Sequence, residues 1–345
     1  MLISELLDSV VPVIQAPMAG VQDSALALAV SSAGGLGSLP CAMLDEAALR
    51  SQLDILRSSA DRPVNLNFFC HEMPAPDPER ESRWRNRLQP FFEEYGIKSD
   101  EISAGAGRRP FGHEIADVLE AYRPAVISFH FGLPAPDLLE RVKGWGTGVL
   151  STATTVEEAC WLEAHGADAV IVQGLEAGGH RGMFLTKDLT TQVGTLALLP
   201  QVLRAVDIPV IAAGGIGDGR GVAAALSLGA VAAQVGTAYL LCRETKTTAL
   251  HRAALKSPDA GHTAVTNVFS GRPARGIVNR IIGELGPICP DAPEFPLAAA
   301  AVTALRERAE AAGSADFTPL WSGQNASGCR EISARDLTDQ LAGYL

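Results

Sequence analysis

The sequence predicts a (β/α)8 TIM barrel carrying a smaller, mainly helical cap. Three observations support this. Eight short apolar runs recur along the chain, and amphipathic segments lie between most of them. Glycines and polar residues gather just after the runs, where a barrel keeps its working loops. At 345 residues, 47% of them hydrophobic, the chain can bury a large core.

The apolar runs are read as strands at 13–16, 35–39, 64–68, 125–129, 148–151, 169–173, 209–213 and 231–235. Helical patterns at 24–32, 155–165 and 219–228 fall between them. This alternation implies parallel pairing through right-handed crossovers. Eight repeats favour a closed barrel over a doubly wound sheet. Such a sheet would usually show a GxGxxG turn after its first strand. Here the first strand leads into Pro17-Met18-Ala19-Gly20. Gly215-Ile216-Gly217 begins such a pattern late in the chain, but Arg220 stands where the third glycine belongs.

Two intervals exceed a simple strand-helix unit. Residues 70–110 are rich in proline and charge and read as an excursion over the barrel's end, with a helix at about 78–95. After the eighth strand, helical patterns at 244–256 and 297–312 flank Phe269-Ser270-Gly271-Arg272-Pro273-Ala274-Arg275. The expected division is a barrel core over 1–243 that includes the excursion, a substrate-side cap over 244–320, and a segment over 321–345 returning to the barrel. Residues 221–242 carry no formal charge and are long enough to span a bilayer. Ser227, Gln234, Thr237 and three glycines mark them instead as helix, strand and loop.

The formal charge of −11 argues against nucleic acid and anionic membranes as partners. The six cysteines, at 41, 70, 160, 242, 289 and 329, make no CxxC, so no metal site is expected. Met1-Leu2-Ile3-Ser4-Glu5 lacks the features of a secretory leader, and a cytoplasmic protein with reduced thiols is expected.

The most informative stretch is Gln173-Gly174-Leu175-Glu176-Ala177-Gly178-Gly179-His180-Arg181-Gly182, directly after a buried strand. Its glycines let backbone approach a ligand, and its histidine can move a proton near neutral pH. Asn67 sits near the active end of the third strand, and its amide suits the edge of a heterocycle. Gly214-Gly215-Ile216-Gly217 and Gly236-Thr237 follow the seventh and eighth strands, the usual barrel position for a phosphate. His130 either lines a substrate pocket or is bonded to backbone. Ser270, Arg272 and Arg275 are candidates to meet an anionic substrate. His113, His165 and His251 read as solvated. No GxSxG occurs.

Together these residues resemble the nitronate monooxygenases, formerly called 2-nitropropane dioxygenases. The resemblance runs from Gln15-Ala16-Pro17-Met18-Ala19-Gly20 to Gly271-Arg272-Pro273-Ala274-Arg275. It includes Gly34-Gly35-Leu36-Gly37, His130-Phe131-Gly132, Glu176 to Gly182, Ala213-Gly214-Gly215-Ile216 and Gln234-Val235-Gly236-Thr237. The resemblance implies a non-covalent FMN over the barrel mouth, contacted by Asn67, Gln173, Gly178, Gly215, Gln234, Val235, Gly236 and Thr237. Ala16 and Met18 would run under the flavin ring. His180 would be catalytic, and His130 and Ser270, read from their loop positions, are the candidates to bind substrate. The implied reaction is oxidation of an alkyl nitronate, such as propionate 3-nitronate, by O2 to a carbonyl compound and nitrite or a related oxide. The partners would be that small molecule and O2, and a homodimer is compatible with all of this. The alternatives are an FMN-dependent NAD(P)H enoyl-thioester reductase and, outside enzymes, a barrel serving as an interaction scaffold.

Overall fold

A computed structural model describes residues 5, 11–60, 62–98, 102 and 108–344. The barrel strands are β1 (Val13–Gln15), β2 (Gly37–Pro40), β3 (Val64–Phe69), β4 (Val126–His130), β5 (Gly148–Ala153), β6 (Ala169–Gln173), β8 (Val210–Ala213) and β9 (Ala232–Val235). They are all parallel and run in the order β1-β9-β8-β6-β5-β4-β3-β2. The sheet closes where Ile14 bridges Leu36, with Gln15 N–H donating to Leu36 C=O at 3.0 Å and Leu36 N–H to Val13 C=O at 3.0 Å. Each expected strand is present to within two residues at either end.

Alternation along the strands builds two layers. Ile14, Leu36, Val126, Leu150, Ile171 and Ile211 fill the barrel interior. Val13, Val170, Val172, Val210 and Val235 face outward and pack against the helices. The helix Ala334–Ala342 docks on the helices Ser24–Ser32 and Gly219–Ser227, and its Thr338 hydroxyl meets Tyr239 OH at 2.8 Å. Among the described residues no helix is long and apolar enough to cross a membrane. The uncharged stretch resolves into the end of helix Gly219–Ser227, strand β9 and the 3-10 turn Thr237–Leu241.

The helix Pro78–Glu94 shares one apolar core with the segment that follows β9. Trp84, Leu88, Phe91 and Phe92 pack with Phe269, Ile281, Leu305 and Phe317. Trp84 Nε1–H donates to Ala298 C=O at 3.3 Å, and Arg280 chelates the Glu94 carboxylate through two 2.7 Å bonds. Three strands were not expected: β7 (Gly179–His180), β10 (Thr263–Thr266) and β11 (Ala274–Ile277). They form an antiparallel sheet in the order β10-β11-β7. At two to four residues each they are too short to show a period. The sheet joins cap to barrel, because Ala274 pairs with His180 and Arg275 with Gly179.

The helix Ser24–Ser32 packs on β2 through a near contact of backbone with backbone. A Cβ on Gly37, beside the closing residue Leu36, would overlap the carbonyl group of Ala27. We expect Gly37→Ala to lower the unfolding free energy by about 2 kcal/mol or more, since neither backbone can yield cheaply. Gly144→Ala, with open space around its Cβ, should change it little. Urea denaturation midpoints of the two variants test this.

Candidate active site

One cleft opens where all eight barrel strands end, at Ala16, Pro40, Asn67, His130, Thr152, Gln173, Ala213 and Gln234. Its shape depends on the loop that leaves β6. Gln173 Nε2–H donates to His180 C=O at 3.0 Å, and Gln173 Oε1 accepts from Gly182 N–H at 2.8 Å. The Arg181 guanidinium returns the favour from the loop's far end. It donates to Gln173 C=O at 2.9 Å, Gly174 C=O at 2.7 Å and Gln192 Oε1 at 3.0 Å. Arg181 is fully buried, and burial pulls its pKa down to about 10. Glu176 accepts from Thr195 N–H and Oγ1–H, each at 2.9 Å.

The loop presents His180. Its Nε2 lies 2.9 Å from Ser270 Oγ, and its ring packs beside Phe295 and Trp321 at centroid distances of 5.4 and 5.5 Å. Burial, with Arg108 and His130 next in effect, holds its pKa well below the usual histidine value. His130 Nε2 is 3.1 Å from His180 C=O and its Nδ1 is 3.1 Å from Thr152 Oγ1. A carbonyl can only accept, so Nε2 carries the proton and Nδ1 accepts from the threonine. Burial lowers the His130 pKa to about 3. The sequence left two roles open for His130, and the structure shows both placements: it lines the cleft and it braces the loop.

The glycine loops come together on the adjacent strands β8 and β9. Gly214 and Gly215 have φ of +116° and +73°, which favours glycine at both positions. Asn325 Nδ2–H donates to Gly215 C=O at 2.8 Å, and Gly323 N–H donates to Thr237 Oγ1 at 2.9 Å. Gly178 is needed for close approach, since a Cβ there would stand 2.5 Å from Gly323 N. Ala16, Met18, Asn67, Gln173, Gly178, Gly215, Gln234, Gly236 and Thr237 all line the cleft. Asn67 Nδ2–H donates to the Ser128 carbonyl at 3.2 Å and to its hydroxyl at 3.0 Å. Gln234 Oε1 is buried without a hydrogen-bond partner.

Several expectations need correction. Val235 is fully buried among the outward residues of β9, because successive strand residues face opposite ways, so its side chain offers nothing to the cleft. Ser270 is bonded to His180 and is not on the cleft wall. Neither Arg272 nor Arg275 lines the cleft. Arg272 lies 3.7 Å from the Phe131 ring centroid and bonds Met183 C=O, while Arg275 donates to Leu175 C=O at 2.9 Å. His251 is buried, not solvated. Its helix starts at Ala249, behind the Thr248 cap, and turns His251 and Leu255 inward. It lines the cleft, and burial lowers its pKa to about 4. His113 and His165 are exposed, as read. Arg108, Trp321, Gly323 and Asn325 line the cleft unforeseen. They belong to no recurring motif, and only the small polar run Ser322-Gly323-Gln324-Asn325 carries a signal in the sequence.

A barrel with one deep cleft at its strand ends, joining glycine loops to neutral histidines, has the build of an enzyme acting on small molecules. The chain belongs to the nitronate monooxygenase family, whose model matches residues 1–343. It is therefore an oxidoreductase. It is 44% identical to the nitronate monooxygenase of Pseudomonas aeruginosa over 97% of this chain and 96% of that one. Its identity to the Paraburkholderia phytofirmans nitronate monooxygenase is 42%, over 96% of this chain and 91% of that one. Among solved structures, the nitroalkane oxidase of Streptomyces ansochromogenes superposes with a TM-score of 0.89 at 40% identity, covering 99% of this chain and 97% of that one. FabK from Thermotoga maritima superposes at 0.71 with 28% identity, covering 99% and 94%.

The buried rings predict a pH dependence. Burial lowers the pKa of His71 and His251 to about 4 and of His130 to about 3. The unfolded chain takes up protons at these rings near pH ~6.5 and the folded chain does not. Their contribution to stability is therefore complete above that pH and is lost as pH falls toward the folded values. We expect the melting temperature to fall from about pH 7 to about pH 5, and His130→Gln to flatten that slope. Thermal unfolding across this range checks it.

Proposed function

We propose that this chain is a cytoplasmic FMN-dependent enzyme that oxidises alkyl nitronates, propionate 3-nitronate among them, with O2. The products would be a carbonyl compound and nitrite or a related nitrogen oxide. The observation that carries this reading is the meeting of neutral His180 with two glycine loops in one cleft. The residues suit FMN. Gly215, Gly236 and Thr237 offer backbone for a phosphate, and Gly178 adjoins them through Gly323. Gln234 Oε1 lacks a donor, which the N–H of a flavin ring can supply. Asn67 and Gln173 would meet the ring, with Ala16 and Met18 under it. When bound, the flavin would supply the electron acceptor for the nitronate and the route of those electrons to O2.

The chain's own residues would manage the proton. With the Ser270 hydroxyl donating to Arg272 C=O, 3.3 Å away, its oxygen would accept from His180 Nε2–H at 2.9 Å. Nδ1 is then the basic nitrogen of a neutral ring, ready to take the α-proton of a nitroalkane. An already ionised nitronate needs no such step.

Two outcomes are expected. The purified protein should be yellow and release FMN on denaturation, and anaerobic mixing with propionate 3-nitronate should bleach it. Bleaching by NADPH with none by nitronate would favour enoyl reduction and overturn the reading. His180→Asn should keep its FMN yet lose about a hundredfold or more in turnover of nitroethane, with a far smaller loss on ethyl nitronate. Steady-state rates on both substrates decide this, and equal losses would remove His180 as the base.

A further inference from the structure

Among the described residues, Arg108 is the single formally charged side chain on the cleft wall apart from the histidines. No aspartate or glutamate lines the cleft among the described residues. Among the described residues no acid raises the Arg108 pKa, while burial and then Arg306 lower it. Its guanidinium lies 5.5 Å from the centroid of the Phe295 ring, which packs beside His180. The neighbouring histidines 71, 130 and 180 are all held neutral by burial and add no compensating charge.

The position of Arg108 is built. Its carbonyl accepts from His71 Nε2–H at 3.0 Å. His71 in turn is wedged against Phe295, at a centroid distance of 4.7 Å, and near Phe69 and Phe131. A cation drawn partly out of water without a counter-ion is costly, and an anionic ligand offsets that cost. A guanidinium also matches two oxygens in one plane, as a nitronate or a carboxylate presents them.

We propose that Arg108 is the anion-recognition residue of this cleft and makes it select the ionised nitronate over the neutral nitroalkane. His71 serves as its positioning residue. The nitronate part of this proposal rests on the function given above, whereas recognition of an anion does not.

The test uses the holoenzyme and two neutral variants, Arg108→Met and Arg108→Gln, so that a folding defect in one does not decide the matter. Each should raise the KM for ethyl nitronate about tenfold or more, leave kcat within about threefold, and leave the KM for nitroethane unchanged. Arg108→Lys should restore most of the loss. Calorimetric titration with butyrate, an unreactive anion, should show a parallel fall in affinity. Equal changes in KM for nitronate and nitroethane, or no change in either, would overturn the selectivity. Should the wild-type enzyme oxidise no nitronate, the functional reading fails. Anion recognition by Arg108 then stands if the neutral variants lose butyrate affinity, and falls if they bind butyrate as tightly as the wild type.

Discussion

Everything at the mouth of this barrel depends on a reciprocal clamp at the end of β6. The Gln173 side chain holds the backbone of His180 and Gly182, and the Arg181 side chain holds the backbone of Gln173 and Gly174. Two side chains thus fasten opposite ends of one loop to each other. Buried hydrogen bonds of this kind are strengthened by the low local dielectric, and losing one partner would strand the other. With the loop fixed, His180 can pair with Ala274 and bring the cap sheet to the barrel.

The same burial that tightens the clamp keeps the histidines neutral. His71, His130, His180 and His251 lie in apolar surroundings, with the described carboxylates placed elsewhere. Glu158 and Glu176, the nearest acids along the β6 loop and its neighbour, are occupied with backbone. Glu158 accepts from Thr154 and Phe184 N–H groups, and Glu176 from Thr195. These acids therefore shape the scaffold, while the described residues of the cleft wall are neutral rings, amides, apolar groups and one arginine.

Much of this was legible because it is local. The barrel strands show as apolar runs whose length and spacing depend only on nearby residues. The glycine loops show because positive φ and close backbone approach favour one residue type. His180, Asn67, Gln173 and Gln234 follow strands or loops so marked. Val235 stands at a strand end, where alternate residues face opposite layers, so its side chain packs outward. His251 was misread because a threonine cap shortened its helix and set the inward face.

The sequence alone determined the barrel, the position of its loops and the kind of backbone at the cleft. These follow from periodicity and from the conformational freedom of single residues. Only the tertiary structure decided which side chains share the cleft. Ser270 meets His180 across 90 positions of chain, and Arg108 reaches the cleft from an excursion whose helix packs against the distant cap. Long-range partners of that kind are selected by packing and by the burial of polar groups, neither of which leaves a period in the chain.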